Sequence, residues 1–523
     1  MTIALYEILR CTHNDKSMMK VMFTHYLTVI RLNAVALFSG GKFTKKYNIT
    51  LSNADISQNI CSFTKIMTLM RTIILLFIFP LMLSARAQQP LDKSLDALLA
   101  DKLFDTGDVS LMVYDLTADT LLYSHRAQKL VRPASVQKVL TSIVALDRLG
   151  NGYTFDTELL EKRNDSICNL YVKGRMDPLF SDTDAMCMAN SVEQGMLIDT
   201  LFADCSFCDS LYWGNGWLWD DNPYGYQPYL SPLMLCRGEV EVVVWPGAEG
   251  EPPAYKVTPE SAFYTVVNEA VSNDPSAGKL TVLRDWLEDS NTIRIRGNCT
   301  KRYKESLNMY KSADFFIAVL LEKLAMRGVT VNNVAFGPVS CDAELLFVNS
   351  RPIAAVIDEA LMESDNLCAE ALLYHLAAQE NFSPVSMSQG CDVVTDFVKE
   401  NLGVTGNFSV ADGSGLSVYD YLTADIILCA LKYAYGNEVL FDAFYSHMPQ
   451  SGISGTMQNR TKGTAAYKKV RAKTGTVKGV CTLAGYAQTA DGHLCAFVML
   501  NGGLQKASAV RKWQDRVLEA ICR

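Results

Sequence analysis

Hydrophobic positions along this chain change period several times, and each change marks an element. Val109–Asp115 and Thr120–Ser124 flank a short turn and read as a strand pair. Behind Arg132-Pro133-Ala134, residues Val136, Val139, Leu140, Ile143 and Leu146 recur at helical spacing, predicting a core helix with Ser135 in its first turn. Two further apolar helical stretches, Ile353–Met362 and Leu367–Leu376, are separated by Ser364-Asp365-Asn366. Lys469–Thr474 alternates like a strand, and Val480–Gln488 and His493–Leu500 follow as a hairpin around Asp491-Gly492. Val510, Trp513, Val517 and Ile521 mark an amphipathic helix over Ala507–Cys522. Strands from both ends are thus expected to share one antiparallel sheet with helices on its faces.

One apolar run does not belong to this pattern. Met70-Arg71 leads into Thr72–Leu83 and Ser84-Ala85-Arg86-Ala87, a charged start, a short apolar core and a small-residue cleavage signal. The run is broken by Pro80 and falls short of the roughly 20 residues that span a bilayer, so residues 70–87 read as a secretory signal peptide, with a mature chain from about Gln88. Translation is expected to start at Met67 or Met70, which makes residues 1–69 a non-native extension outside the fold.

Removing the leader changes the charge picture. Residues 1–87 hold 10 Lys/Arg against 3 Asp/Glu, so a chain of net charge −8 becomes a mature protein of −15, which argues against nucleic acid as a partner. Thirteen cysteines remain after residue 87, far too sparse for a disulfide scaffold. Cys205 and Cys208 have no second such pair to complete a zinc site, and read as small buried residues.

Candidate chemistry emerges by elimination. The mature histidines, His125, His375, His447 and His493, are scattered, and neither H-E-x-x-H nor G-x-S-x-G occurs. A serine nucleophile without histidine can use lysine as base, provided burial and a second cation keep the amine neutral. Ser-x-x-Lys occurs at Ser17, Ser39, Ser62, Ser135 and Ser276. The first three precede the cleavage site, and Ser276 sits in a turn sequence after Asn273-Asp274-Pro275. Ser135 alone opens a helix, on which Lys138 shares its face. Ser364-Asp365-Asn366 and the unique Lys473-Thr474-Gly475 follow in order, the set found in penicillin-binding proteins and β-lactamases.

The chain resembles the low-molecular-mass class C penicillin-binding proteins, the D-Ala-D-Ala carboxypeptidase/endopeptidase group. The resemblance runs through nearly all the mature chain, on Gly216-Trp-Leu-Trp-Asp-Asp221, Ser231-Pro-Leu-Met-Leu235, Ser364-Asp-Asn-Leu-Cys-Ala-Glu370, Asp412-Gly-Ser-Gly-Leu-Ser417, Arg471-Ala-Lys-Thr-Gly-Thr476 and Ala484-Gly485-Tyr486. It implies an α/β (α+β) fold, a β-lactamase/transpeptidase-like domain with an antiparallel sheet flanked by helices. The 225 positions between Lys138 and Ser364 exceed what a compact β-lactamase uses, and the resemblance implies inserted smaller β-rich domains there. We expect transpeptidase-like parts at 88–160 and 346–523, with the insertion at 161–345.

The resemblance further implies Ser135, Lys138, Ser364 and Asn366 as catalytic residues, and Lys473, Thr474, Gly475 and Thr476 as substrate-binding ones. Gly475 would let a substrate backbone lie against the sheet edge. No metal or organic cofactor is expected. The expected partners are peptidoglycan stem peptides and β-lactams, in the periplasm. Alternatives are a β-lactamase, against which no Glu-x-x-Leu-Asn segment lies between Ser364 and Lys473, and a non-catalytic wall-binding protein. The aromatics Tyr212, Trp213, Trp217, Trp219, Tyr224, Tyr226 and Tyr229 read as packing within the insertion rather than a sugar platform, and Pro246–Pro253 as a surface loop. Gly174-Arg-Met-Asp-Pro178 departs from the more glycine-rich turn of the family.

Overall fold

The computed structural model describes residues 91–523 except 165 and 166, so the expected extension and signal peptide lie outside the described residues. In chain order, α1 (91–99) precedes β1 (Asp108–Asp115), β2 (Thr120–His125) and α2 (Gln137–Leu149). Then come β3 (Thr154–Asn164), β4 (Ile167–Gly174), α3 (Asp182–Asn190) and β5 (Leu197–Asp204). Short strands follow: β6 (Glu239–Trp245), β7 (Ala254–Thr258), β8 (Thr265–Asn268), β9 (Val271–Ser272), β10 (Thr281–Arg284), β11 (Thr292–Arg296), β12 (Asn298–Cys299) and β13 (Tyr303–Asn308). After α4 (Ser312–Met326), β14 (Thr330–Phe336) and β15 (Glu344–Pro352), the chain turns helical: α5 (Ile353–Met362), α6 (Asn366–Glu380), α7 (Met387–Glu400), α8 (Ala424–Tyr435) and α9 (Glu438–Tyr445). It ends with β16 (Val470–Val477), β17 (Val480–Gln488), β18 (Leu494–Gly502) and α10 (Ala507–Cys522).

The two chain ends do build one antiparallel sheet, in the order β16-β17-β18-β1-β2. Its central strand β18 is buried on both faces, so apolar residues run nearly without a break. Phe497 and Met499 meet Leu95, Leu98, Trp513 and Val517 of the terminal helices, while Ala496, Val498 and Leu500 join the core of the helical layer. That alternation is the two-residue period of a strand serving two layers. At the centre of the helical layer, α6 is buried from Asn366 to Ala377, so its sequence is apolar on all sides.

Between α2 and α5 the chain makes a second, mixed sheet in the order β14-β5-β4-β3-β15. It packs with α3 and α4 on a separate apolar core that includes Leu170, Val172, Leu201, Phe315, Phe316 and Leu320. From this sheet project the smaller sheets β13-β6-β7 and β10-β11-β8. The loop 246–253 lies mostly exposed between β6 and β7, as its proline and glycine content predicts.

Two local readings need correcting. Ser135 is not in the first turn of the α-helix but in a tighter 3-10 turn, Ala134–Val136, immediately before α2. The aromatic group divides: Trp217 and Tyr229 are buried, whereas Tyr212, Trp219 and Tyr226 remain about half exposed or more. They lie on the long connection between β5 and β6, where one side of the chain meets solvent. The Gly174–Pro178 segment is a tight turn in which Met176 has φ 58° and donates its N–H to the Pro232 carbonyl at 2.8 Å. A side chain at Gly174 would overlap that same carbonyl, so the single glycine is placed where contact demands it.

Trp513 ties α10 to α1: it is buried, donates Nε1–H to the Leu98 carbonyl at 2.8 Å, and meets Phe104 edge-on. Trp513→Ala is expected to cost about 3–5 kcal/mol, read as a lower urea midpoint.

Candidate active site

The turn that carries Ser135 is wedged between two glycines. Ala134 has φ 47°, a left-handed conformation that costs an alanine energy and so has to be held by its surroundings. A Cβ at Gly415, itself at φ 79°, would overlap the Ala134 carbonyl. The space that a Gly475 Cβ would need is filled by Thr482 Oγ1, with the Pro133 carbonyl and Ser135 N–H nearby. Thr482 Oγ1 also donates to the Pro133 carbonyl at 2.7 Å. Gly475 therefore admits the serine turn to the strand, a packing role distinct from making room for a substrate backbone.

Lys138 lies three residues beyond Ser135 and is fully buried. Its Nζ is 3.1 Å from Ser135 Oγ, 2.6 Å from Asn366 Oδ1 and 2.9 Å from the Ser414 carbonyl. The orientation of Asn366 is set by its Nδ2, which donates to the Tyr226 carbonyl at 2.7 Å. Burial lowers the Lys138 pKa to about 8, partly offset by the negative charges of Asp412, Glu370 and Asp365.

The second lysine closes the site from the sheet. Lys473 on β16 is also fully buried and donates to Ser364 Oγ at 2.8 Å and to the Thr474 carbonyl at 2.9 Å. Burial and the charge of Lys138 push it well below the ordinary lysine range. Ser364 adopts φ 65° just ahead of Asp365, whose carboxylate caps α6 by accepting the Cys368 N–H at 2.7 Å. Thr474 Oγ1 meets Thr456 Oγ1 at 2.9 Å, and Arg511 Nη2 donates to Thr476 Oγ1 at 3.3 Å. Since β16 is an edge strand, Lys473–Thr476 border an open side of the sheet.

Behind the lysine lies a buried acidic layer. Asp412 accepts backbone N–H groups from Ser414, Gly415 and Ser417 and the Trp217 indole N–H. Burial and Asp412 push Asp420 well above the carboxylate range, which favours its neutral acid. Glu370 accepts the N–H groups of Gly413 and Ser414, each at 3.0 Å.

Thus Lys138 joins Ser135 and Asn366 in one hydrogen-bonded group and Lys473 joins Ser364 in a second, near enough for the Lys138 charge to act on Lys473, and Thr474, Gly475 and Thr476 continue along β16. Ser276 is elsewhere, its hydroxyl donating to Asp274 in an exposed turn. Several contributors carried no sequence signal, notably the carbonyls of Ser414 and Tyr226. Arg237 escaped notice too: it pairs with Glu359 and with Asp365 inside the Ser364–Asn366 motif, at 2.8 and 3.2 Å. Glu370 did leave a signal, a carboxylate in an otherwise apolar helix one turn after Asn366. Among the described residues, the cysteines are all unpaired and no His/Cys/Asp/Glu group is arranged to hold a metal ion.

Known proteins are similar to this chain over most of its length. Residues 91–520 match the D-Ala-D-Ala carboxypeptidase 3 (S13) family. A D-alanyl-D-alanine carboxypeptidase of Actinomadura sp. (strain R39) is 30% identical, the match covering 80% of this chain and 84% of that one. The D-alanyl-D-alanine carboxypeptidase DacB of Haemophilus influenzae is 25% identical over 77% of this chain and 87% of its own. The crystal structure of penicillin binding protein 4 from Haemophilus influenzae superposes with a TM-score of 0.69 at 22% identity, covering 79% of this chain and 95% of that one.

Because Gly415 has no room for a side chain beside the Ala134 carbonyl, Gly415→Ala should displace the Ser135 turn. We expect at least a roughly 100-fold slower covalent labelling by a penicillin, comparable to losing an oxyanion donor, in stopped-flow measurements on folded protein.

Proposed function

The chain belongs to the D-Ala-D-Ala carboxypeptidase 3 (S13) family, and on that premise we propose that Ser135 attacks the carbonyl of the penultimate D-alanine of a peptidoglycan stem peptide. The protein is a serine-type peptidase of the low-molecular-mass class C penicillin-binding group, a D-Ala-D-Ala carboxypeptidase. One observation carries the assignment of roles: the three oxygens around Lys138 Nζ. A neutral amine has two N–H donors and one lone pair. Asn366 Oδ1 and the Ser414 carbonyl can only accept, so they take the two donors, and the lone pair is left facing the Ser135 hydroxyl.

In the proposed reaction, Lys138 takes the Ser135 proton as Oγ bonds to the carbonyl carbon. The negative oxygen is held by the N–H groups of Ser135 and Thr476, a reading based on family likeness. The substrate's terminal carboxylate binds against Lys473, Thr474 and Thr476. Its charge restores the charge of Lys473, and that cation in turn keeps Lys138 neutral. As the C–N bond breaks, the proton passes through Ser364, which Lys473 holds at 2.8 Å, to the departing D-alanine amine. Water then attacks the acyl ester, giving its proton to Lys138, and as the ester C–O bond breaks that proton returns to Ser135 Oγ and frees the serine hydroxyl. No metal or organic cofactor enters this scheme.

A β-lactam presents its carbonyl and carboxylate in the same relation and acylates the same serine. Cleavage of D-alanyl cross-links is the second activity we propose, supported by the family and by the open edge of β16, along which an extended peptide can add as a strand. We read residues 161–345 as inserted domains between transpeptidase-like parts at 88–160 and 346–523. They are carried on a sheet whose strands begin at Thr154 and end at Pro352. Secretion is proposed from the leader expected at 70–87, and residence in the periplasm from the likeness to the family. Among the described residues, no helix is long and apolar enough to cross a membrane.

Ser135→Ala should abolish covalent labelling by a fluorescent penicillin and release of D-alanine from a synthetic stem pentapeptide. Labelling that persists in this variant would overturn the assignment. For the unaltered enzyme, kcat/KM for D-alanine release should rise about tenfold per pH unit below pH 8 and level above it, since the base must be neutral and Lys138 titrates at about 8. Digests of purified sacculi should yield monomeric stem peptides as well as free D-alanine if both activities are present.

A further inference from the structure

Glu370 takes no part in the proposed reaction, yet it is joined to the base through one residue. It lies four positions after Asn366 on α6, on the same face, and is fully buried. Its Oε1 accepts the N–H of Ser414, whose carbonyl accepts from Lys138. Its Oε2 accepts the N–H of Gly413, whose carbonyl is taken by Thr141 Oγ1 at 2.7 Å. Residues 413 and 414 are therefore clamped from two sides: α2 holds both carbonyls, through Thr141 and Lys138, and α6 holds both N–H groups, through Glu370.

We propose that Glu370 is a positioning residue that acts through Ser414 on Lys138. It aims the carbonyl that orients the amine, and it supplies a buried negative charge that sets how tightly the amine holds its proton. The inference rests on Lys138 being the base for Ser135. Burial and the charge of Asp412 push the Glu370 acid up to about 8, while the N–H donors on both its oxygens and nearby Lys138 favour the carboxylate, so its charge is present in the range where Lys138 titrates. The charged groups facing it are Lys138 on α2 and Asp412 on the adjoining loop. Asp420 is neutral, and burial keeps Cys391 of α7 and Tyr374 of its own helix uncharged. Lys138 in turn faces Asp412, Glu370 and Asp365, the neutral Cys368, and Lys473 across the site. Removing the Glu370 charge leaves the amine a weaker hold on its proton, so neutral Lys138 should persist to lower pH.

The test is the rate of Ser135 acylation by a fluorescent penicillin between pH 5 and 10, in the mature enzyme and in Glu370→Gln and Glu370→Asp. Glu370→Gln keeps the shape but loses the charge and turns an NH2 toward one backbone N–H. Its acid limb should move about one pH unit lower, and its plateau should fall about 10-fold. Glu370→Asp keeps the charge one methylene further back and should give an intermediate limb. A folded Glu370→Gln enzyme whose limb coincides with that of the unaltered enzyme overturns the proposal, even if its urea midpoint is lower, because a merely structural role predicts that outcome. Should Glu370→Gln fail to fold, Glu370→Asp decides: a limb and plateau equal to the unaltered enzyme's overturn the inference. Absence of a Ser135 adduct in the unaltered enzyme at every pH would instead refute the reading of Ser135 on which it rests.

Discussion

A lysine amine sealed from water, with two carbonyl oxygens and one hydroxyl around it, imposes more on this chain than any other contact. An unpaired charge in that place would cost several kcal/mol, so every polar neighbour of Lys138 must arrive in register. Those neighbours come from three segments far apart in sequence: the turn at 134–136, the start of α6, and the loop at 413–415. Docking them together requires the left-handed Ala134 and the glycines at 415 and 475 that accommodate it. The apolar helix α6 and the doubly buried strand β18 provide the stiff layers on which these segments rest.

Electrostatics gives the two lysines different characters. Lys138 is backed by Asp412, Glu370 and Asp365, whereas Glu363 is the one anion that raises Lys473. Burial opposes charge on both amines, so both hold their protons loosely, and in the proposed reaction an incoming carboxylate would return the positive charge to Lys473. The acidic layer behind Lys138 moderates that depression, which in the proposed reaction keeps the amine basic enough to take the Ser135 proton. Burial and Asp412 push both Asp420 and Glu370 up, which limits the negative charge that the dry acidic layer has to hold.

Much of this was legible because side-chain chemistry and periodicity leave marks in sequence. The helix behind Ser135, the α5 and α10 boundaries and the β17–β18 hairpin follow the apolar pattern to within a residue or two. Ser135, Lys138, Ser364, Asn366 and Lys473 stood out because few residue types can do their work. What stayed hidden was backbone: the Ser414 and Tyr226 carbonyls belong to any residue, and no composition reveals them. The 3-10 turn at Ala134–Val136 was read as α-helix because the two share apolar spacing over so short a stretch. Tyr212, Trp219 and Tyr226 were read as packed because aromatic residues usually bury, and only the path of their loop leaves them half in solvent.

The reach of Tyr226 and Arg237 into the Ser364–Asn366 motif bears on how the protein can be shortened. The segment between Thr154 and Pro352 has its own core, which invites its treatment as removable cargo. Yet it carries the carbonyl that orients the Asn366 amide and the guanidinium that pairs with Asp365. A minimal catalytic unit made by joining α2 directly to α5 would keep every signature residue and still lack the acceptor for Asn366 Nδ2. Any such miniature has to build a substitute for that acceptor before its serine can be expected to react.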